Sequence, residues 1–215
     1  MLIYIVRHGE TRSNTEGLMQ GWTDDPLNKN GIELASITGR GMKGIHFDEC
    51  ISSPLLRARQ TAEILLQESG NEAVPILFDD RIKEINMGDW EGKKFRPGER
   101  EIDAREVRMF FTDPFHLRGC PGGEDILQVC KRTQTFLKEL ATRDDDRTYL
   151  VTTHGFALRA MLNMLYEDKL DYWHGHVPYN CAVNIIEVHR GEMRLIADDK
   201  IYYDMDTAID QYADF

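Results

Sequence analysis

Short apolar runs alternate with longer segments of helical periodicity along most of the chain. Strand-like runs occur at residues 2–6, 49–52, 74–78 and 149–153. Two later apolar runs, 182–188 and 193–197, flank the turn sequence HRGE and predict an antiparallel hairpin. Because parallel strands are joined by crossover helices, the alternation predicts an α/β three-layer sandwich. We expect a mostly parallel central sheet with helices on both faces and the antiparallel hairpin at one edge.

Helix signals fall between these strands. Four helices are predicted, over residues 28–41, 53–70, 124–142 and after residue 154. Asn28 and Ser53 are residue types that cap helix N-termini, and Pro54 suits a first helical turn. Gly70 is typical of a helix end, because glycine tolerates the left-handed backbone found there.

Length, charge and cysteine content restrict the possible classes of protein. The 215 residues suffice for one α/β domain, and no repeat or linker divides 1–215. A formal net charge of −11 argues against nucleic acid and anionic lipid as partners. We expect a cytoplasmic protein without a membrane partner, because no apolar stretch could span a bilayer and no basic leader precedes the first strand. The four widely spaced cysteines are predicted to be reduced thiols, not disulfides or zinc ligands.

The segment 93–118 departs from the general pattern. It contains seven Lys or Arg residues against five Asp or Glu residues, although the chain as a whole is acidic. We interpret this segment as a lid inserted over an anion-binding site. The alternative is a solvated surface helix without a role in binding.

Charged and imidazole side chains stand just past the carboxyl end of each predicted parallel strand. Arg7 and His8 follow the first strand, Arg57 lies early in the helix after the second, Glu84 follows the third, and His154 follows the fourth. These strand ends share one edge of the sheet, so the side chains are predicted to converge. Arginine forks match phosphate oxygens, and the second and fourth helices would aim free N–H groups at the same place. The set predicts a site for a tetrahedral phosphate dianion.

The blocks around these residues resemble the histidine phosphatase superfamily, which contains the cofactor-dependent phosphoglycerate mutases and many related phosphatases. The family's opening motif, R-H-G-E-T-x-x-N, stands here as RHGETRSN at residues 7–14. Further blocks follow in the family's order: QGWTDDPLNKNG (20–31), SSPLLRARQTA (52–62), EINMGDWEG (84–92), PGGED (121–125), THG (153–155) and PYNCAVNIIE (178–187). The resemblance therefore spans nearly the whole chain and implies the phosphoglycerate mutase-like fold.

The resemblance also implies a role for each matching residue. His8 would be the nucleophile that accepts the phosphoryl group, and Glu84 would be the proton donor. Arg7, Arg57 and His154 would bind the phosphoryl oxygens and stabilise their charge. Further substrate-binding residues would be Asn14, Gln20, Gly21 and Gly155.

These roles predict a metal-independent phosphatase that uses no cofactor and hydrolyses phosphate monoesters of small metabolites. A ring nitrogen of neutral His8 would attack phosphorus, while the other ring nitrogen is held by a backbone carbonyl and nearby cations disfavour imidazolium. Gly9 would let the backbone pass close by. Glu84 would protonate the leaving alkoxide and then activate water. Asp89 and Glu10 are the reserve candidates for the acid.

Two other functions compete with hydrolysis. A phosphoglycerate mutase would return the phosphoryl group to substrate from the same phosphohistidine. The sequence after Glu84 is INMG, where the mutases carry an R-H-Y-G type sequence, and the following GDWEG is more like the broad phosphatases. A binding protein without catalysis would commonly lose the nucleophile or an arginine, and this chain keeps both. The sequence therefore favours the phosphatase.

The HGH sequence at His174–His176 raises a third possibility, because histidines two residues apart can bind a metal on a strand. These histidines lie in a loop before Pro178 and have no cysteine partner at metal-binding spacing. We expect them to shape the rim of the crevice, together with Tyr172 and Trp173.

The choice of ester is expected to depend on residues 93–118 and on the surroundings of Trp22 and Trp90. The positive excess in 93–118 weakly favours a further anionic group on the substrate. Either a monomer or a homodimer fits the sequence. Four aromatic residues near the C-terminus, which could pack on the core or on a partner, are Tyr202, Tyr203, Tyr212 and Phe215.

Overall fold

Six strands of the described residues form one central sheet. They are β1 (Leu2–Arg7), β2 (Glu49–Ser52), β3 (Ile76–Phe78), β4 (Thr148–Thr153), β5 (Val183–His189) and β6 (Glu192–Lys200). The strand order is β3-β2-β4-β1-β5-β6 in the computed structural model, which describes residues 1–117, 119–143 and 145–204. β1 to β4 are mutually parallel, whereas β5 runs antiparallel to β1 and to β6. The predicted parallel sheet with an antiparallel edge hairpin is confirmed.

The register of the parallel strands brings their carboxyl ends to one level. Arg7 at the end of β1 lies opposite Thr153 of β4, and Ser52 of β2 lies opposite Thr152 of the same strand. Residues that follow these strands therefore emerge side by side at one edge of the sheet.

Six α-helices of the described residues connect or flank the strands. They are α1 (Arg12–Glu16), α2 (Lys29–Gly41), α3 (Leu56–Ser69), α4 (Ala104–Thr112), α5 (Ile126–Ala141) and α6 (Gly155–Leu162). Asn28 caps α2 as predicted, because its side chain accepts a hydrogen bond of 2.8 Å from the Gly31 N–H group. Gly70 follows α3 with a left-handed φ of 83°, which also agrees with prediction. The sequence pattern did not predict α1, which has only five residues.

Two predicted element boundaries were wrong. α3 begins at Leu56, and Ser53 does not cap it, because the Ser53 hydroxyl lies 2.7 Å from the His154 imidazole instead. The third strand begins at Ile76, because the Val74 N–H group donates to the Asn71 carbonyl in a turn. In both places a contact that the local pattern does not encode sets the boundary.

Helices cover both faces of the sheet, and side chains of successive strand residues alternate between the faces. Ile3 and Ile5 of β1 pack in the apolar cluster that includes Leu137 of α5 and Leu158 of α6. Val6 packs on the other face, in the cluster that includes Leu65 of α3. The predicted three-layer arrangement is therefore confirmed.

The cysteines and the aromatic residues near the C-terminus are part of the core where the structure describes them. All four cysteines are free thiols and buried. Tyr203 is buried, and its hydroxyl donates to the Asn180 carbonyl. Tyr212 and Phe215 lie outside the described residues. Among the helices of residues 1–117, 119–143 and 145–204, none has the length and apolar character needed to cross a membrane.

A buried arginine ties α6 to β6 and to the loop that follows α6. Arg159 is fully buried and pairs through Nη2 with Asp199 and through Nη1 with Asp198 at 3.2 Å. Nη1 also donates to the Tyr166 hydroxyl at 2.6 Å, and Nη2 donates to the His176 carbonyl at 3.2 Å. This guanidinium therefore fixes the start and the end of the segment 166–176.

The two histidines of the HGH sequence have different partners in this region. The His174 ring stacks on Tyr166 with 3.5 Å between centroids, whereas His176 Nε2 lies 3.1 Å from an Asp199 carboxylate oxygen. Across the described part of the chain, no three His, Cys, Asp or Glu side chains gather in a geometry that could hold a metal ion.

We expect Arg159→Met to lower the free energy of unfolding by about 3 to 5 kcal/mol, because Asp199 would stay buried without its main counter-ion. Urea unfolding checks this value. Arg194→Met is the matched control: Arg194 pairs with Glu187 at 2.9 Å on an exposed surface, and its loss should cost less than about 0.5 kcal/mol. Equal losses for the two variants would contradict the role of the buried pair.

Candidate active site

Arg7 is the last residue of β1 and His8 follows it, and both side chains are buried at the carboxyl edge of the sheet. Arg7 is 4% exposed, and its Nη1 donates to the Pro178 carbonyl. The His8 N–H group donates to the Thr153 carbonyl at 2.9 Å, so the parallel pairing continues to the start of the turn. A Cβ atom at Gly9 would lie 2.6 Å from the Gly31 carbonyl oxygen. Glycine is therefore needed at position 9 for the backbone to pass against α2, as predicted.

The His8 imidazole is held in one tautomer and in the neutral form. Its Nδ1 lies 2.7 Å from the Gly9 carbonyl oxygen, which can only accept, so Nδ1 carries the proton and Nε2 keeps its lone pair. Burial, followed by the charges of Arg57 and Arg7, holds the pKa of His8 well below its usual value. The predicted carbonyl contact and the predicted effect of the cations are both confirmed.

His154 follows β4 and lies next to His8, with 5.2 Å between the ring centroids. Its Nε2 is 2.7 Å from the Ser53 hydroxyl, and its buried Nδ1 has no hydrogen-bond partner within the described residues. Burial and the charge of Arg57 hold the pKa of His154 well below its usual value. Ser53 therefore orients the imidazole that the resemblance assigns to phosphoryl binding.

Arg57 lies in the first turn of α3 and is fully buried. Its guanidinium donates to the Thr23 carbonyl at 2.8 Å and to the Gly21 carbonyl at 2.7 Å. Burial lowers the pKa of Arg57 to about 10, so the side chain remains a cation at neutral pH. Its charge lowers the pKa of both His8 and His154.

Glu84 lies in the connection that follows β3, and its buried carboxyl group contacts the start of α6. Its Oε1 accepts from the N–H groups of Ile85 and Ala157, both at 2.9 Å, and its Oε2 accepts from the Phe156 N–H group at 3.1 Å. Burial raises the pKa of Glu84, although these three donors and Arg57 act in the opposite direction. A carboxyl group with a raised pKa is suited to donate a proton.

Several of the helix N–H groups that are predicted to face the phosphate donate to carboxylates of the protein instead. At the N-terminus of α6, the N–H groups of Phe156 and Ala157 donate to Glu84. At the N-terminus of α3, the Leu56 N–H group donates to Asp24 Oδ1 at 2.6 Å. Carboxylates of the protein itself occupy both helix N-termini, where negative charge is favourable.

The predicted residues form a site with an inner and an outer part. One cavity is lined by six of them: Arg7, His8, Asn14, Gln20, Glu84 and Gly155. Arg57, His154 and Gly21 are buried in the described structure without lining this cavity. Arg57 nevertheless acts electrostatically on both His8 and Glu84, so the inner part belongs to the same site.

Asn14 and Gln20 are placed by a small network around Thr11. Asn14 Oδ1 accepts from the Thr11 backbone N–H group at 3.1 Å, which leaves the amide nitrogen of Asn14 as the group that can donate to a ligand. Gln20 Oε1 accepts from the Thr11 hydroxyl at 3.0 Å, and Gln20 Nε2 donates to Asp25 at 3.1 Å. These hydrogen bonds orient both side chains.

The two reserve candidates for the acid lie elsewhere. Glu10 is buried, and its carboxylate accepts from the Asn28 side chain at 2.8 Å, near the start of α2. Asp89 is exposed. Among the described residues that line the cavity, Glu84 is the one carboxylate.

Sequence reasoning gave no role to Glu91, although it stands in the quoted block EINMGDWEG. Its carboxylate accepts from the backbone N–H groups of Gly21 (3.1 Å), Trp22 (2.6 Å) and Thr23 (3.3 Å). The carbonyls of Gly21 and Thr23 are those that hold Arg57. Glu91 therefore fixes the loop that positions the buried cation.

Arg132 was also missed, because its position in α5 carries no local signal. Its Nη1 donates to the Lys83 carbonyl at 2.6 Å, and its Nη2 donates to the Glu84 carbonyl at 2.8 Å. Its Nε pairs with Glu124 at 2.8 Å. Arg132 therefore fixes the backbone that carries Glu84.

The segment 93–117 contributes rings to the cavity, and its cations lie elsewhere. Phe95, Phe110 and Phe111 line the cavity, and Arg118 lies outside the described residues. Arg96 donates to the carbonyls of Asn14 and Thr15, at the end of α1, at 3.2 and 2.9 Å. The segment thus forms part of the wall, and its closing as a lid stays a prediction.

Comparison with known proteins identifies the family of this chain. The chain matches the family model of the histidine phosphatase superfamily (branch 1) over residues 3–198. Broad-specificity phosphatase YOR283W of Saccharomyces cerevisiae is 30% identical over 204 residues, which cover 90% of this chain and 82% of that protein. A 2,3-bisphosphoglycerate-dependent phosphoglycerate mutase of a Methylobacterium species is 32% identical over 173 residues, which cover 76% of this chain and 80% of the mutase.

A solved structure extends the comparison to the fold. Bacillus stearothermophilus YhfR matches with a TM-score of 0.84 and 33% sequence identity, covering 93% of this chain and 97% of that chain. The family match includes every residue of the site described above. The chain belongs to the histidine phosphatase superfamily and has its phosphoglycerate mutase-like α/β fold.

Proposed function

We propose that this protein is a metal-independent phosphatase, which hydrolyses phosphate monoesters of small metabolites through a phosphohistidine on His8. The observation that carries the proposal is the neutral imidazole of His8, whose Nε2 lone pair is left open by the contact of Nδ1 with Gly9. Glu84, whose pKa is raised, lines the same cavity. The matches to both phosphatases and mutases support chemistry on a phosphate ester.

In the first step, His8 Nε2 attacks the phosphorus atom and forms a P–N bond while the ester P–O bond breaks. Glu84 gives its proton to the departing alkoxide, so the alcohol leaves as a neutral molecule. Arg7 and the donors of Asn14 and Gln20 stabilise charge on the equatorial oxygens. In phosphoryl transfer such positioned charge supplies most of the catalysis.

In the second step, water replaces the alcohol. Glu84, now a carboxylate, takes one proton from the water molecule as its oxygen attacks phosphorus. The P–N bond breaks, inorganic phosphate leaves, and His8 and Glu84 return to their starting protonation states. Each turnover therefore consumes one ester and one water and needs no further reactant.

Hydrolysis is favoured over transfer to a second substrate by the residues after Glu84. The mutases have an R-H-Y-G type sequence there, whereas this chain has INMG. Ile85 and Met87 are both buried in an apolar cluster, so neither position offers a cation to the carboxylate of phosphoglycerate. Because the chain lacks this cation, we rank a phosphoglycerate mutase second, after the phosphatase.

We expect His8→Ala to lower phosphate release by at least about 10⁴-fold, because the covalent route would be lost. Rapid quenching with a ³²P-labelled ester should trap acid-labile protein-bound phosphate in the wild type and none in the variant. His46→Ala, which changes an exposed histidine, is the control and should retain the trapped phosphate. Label that persists in His8→Ala, release that stops with a chelator, or interconversion of phosphoglycerates faster than phosphate release would each contradict the proposal.

Glu84→Gln should slow the hydrolysis of alkyl phosphates by about 10² to 10⁴-fold. It should slow the hydrolysis of 4-nitrophenyl phosphate by less than about 10-fold, because only a poor leaving group needs the proton. The ratio of kcat/KM values for ethyl and 4-nitrophenyl phosphate measures this difference. Asp89→Asn, at the exposed reserve candidate, should leave the ratio unchanged. If both esters slowed equally in Glu84→Gln, Glu84 would not be the acid.

Glu91→Gln should lower kcat/KM by about 10²-fold for good and poor leaving groups alike, because the loop that holds Arg57 would shift. Inhibition by inorganic phosphate should weaken in parallel. Glu101→Gln is the control, since Glu101 also accepts a backbone N–H group, that of Lys94, but on an exposed surface. A variant with reduced thermal stability and unchanged phosphate inhibition would show that Glu91 is merely structural.

A further inference from the structure

The cavity of the active site has an aromatic wall in addition to its polar one. Five rings line the cavity together with Arg7, His8 and Glu84: Phe95, Phe110, Phe111, Phe156 and Trp173. A phosphate ester that places its PO₃ group against His8 must leave its alcohol part in the remaining space. The alcohol part therefore contacts rings.

Contacts within the protein hold the rings of this wall in place. Trp173 Nε1 donates to the Phe110 carbonyl at 3.1 Å, which joins the loop after α6 to α4. Phe110 stacks on Phe156 with 5.0 Å between centroids and 24° between planes. The Tyr172 hydroxyl donates to the Phe156 carbonyl at 2.8 Å. The wall is preformed, which is typical of sites that bind by apolar contact.

Cations are kept away from this wall. Within the described chain, Arg7 is the one lysine or arginine that lines the cavity, although residues 93–117 contain six of them. Lys94 pairs with Glu99 at 2.8 Å on the exposed side, and Arg96 binds the end of α1. A second anionic group on the substrate would meet rings with no counter-ion, and burying an unpaired charge is unfavourable. The positions of these cations argue against a further anionic group on the substrate.

We propose that the site selects phosphate monoesters whose alcohol part is uncharged and apolar, with an aromatic ring favoured, over esters that carry a second anionic group. This inference rests on the proposed phosphatase function and names its substrate class. Rings of the substrate would pack against Phe110, Phe111 and Trp173 by stacked or edge contacts.

The test compares three alkyl esters whose leaving groups have similar reactivity. Differences in kcat/KM among them therefore report how the site binds the alcohol part. We expect kcat/KM for 2-phenylethyl phosphate to exceed that for ethyl phosphate and that for 3-phosphoglycerate by at least about 10-fold each. A preference for 3-phosphoglycerate, with phosphate still released, would overturn the substrate class and leave the phosphatase intact. Failure to release phosphate from all three would overturn the phosphatase and this inference together.

Variants at the wall assign the preference to particular rings. Phe111→Arg should shift the ratio of 2-phenylethyl phosphate to 3-phosphoglycerate by at least about 10-fold toward the acid, and Phe111→Leu should reduce the aromatic preference without adding charge. Phe115→Leu is the control: Phe115 lies in the same segment and packs edge-on against Tyr172 at 5.4 Å. Circular dichroism verifies that each variant folds. A shift in Phe115→Leu as large as in Phe111→Leu would overturn the assignment.

Discussion

The contact between His8 Nδ1 and the Gly9 carbonyl is the interaction on which the site depends. It fixes one tautomer of a buried imidazole and leaves Nε2 unprotonated, with its lone pair available in the cavity that Arg7 also lines. The contact requires the chain to turn tightly against α2, which only glycine at position 9 allows. The parallel sheet supplies the rest, because it brings the residue after β4, His154, to 5.2 Å from the same ring.

One physical cause, burial, prepares the two reacting groups for opposite tasks. It lowers the pKa of His8, which must be neutral to attack, and raises the pKa of Glu84, which must hold a proton to give away. The same burial would make unpaired cations costly. Arg57 is accordingly held by the carbonyls of Gly21 and Thr23, in a loop that Glu91 organises. The charge of Arg57 thus acts on both His8 and Glu84, and Glu91 holds the loop that positions this charge.

Sequence could predict the features that local pattern or strand order encodes. The cap at Asn28, the helix end at Gly70 and the convergence of Arg7, His8, Glu84 and His154 at one sheet edge belong to this class. Contacts between distant segments could not be predicted. For example, the Ser53 hydroxyl contacts the His154 imidazole and does not cap the helix that follows it. The segment 93–117 shows the same limit, because its charge count is visible in sequence, whereas the direction in which Phe110 and Phe111 point depends on packing against Phe156 and Trp173.

The state of the His8 ring is the most direct test of this chemistry. Nuclear magnetic resonance of ¹⁵N-labelled histidine reports the protonation of each ring nitrogen, and the His8→Ala variant identifies the signals of His8. We expect a protonated Nδ1 and an unprotonated Nε2 from about pH 7 down to about pH 5, where an ordinary histidine becomes doubly protonated. A doubly protonated ring near pH 6, or a proton on Nε2 with Nδ1 bare, would contradict the proposed nucleophile.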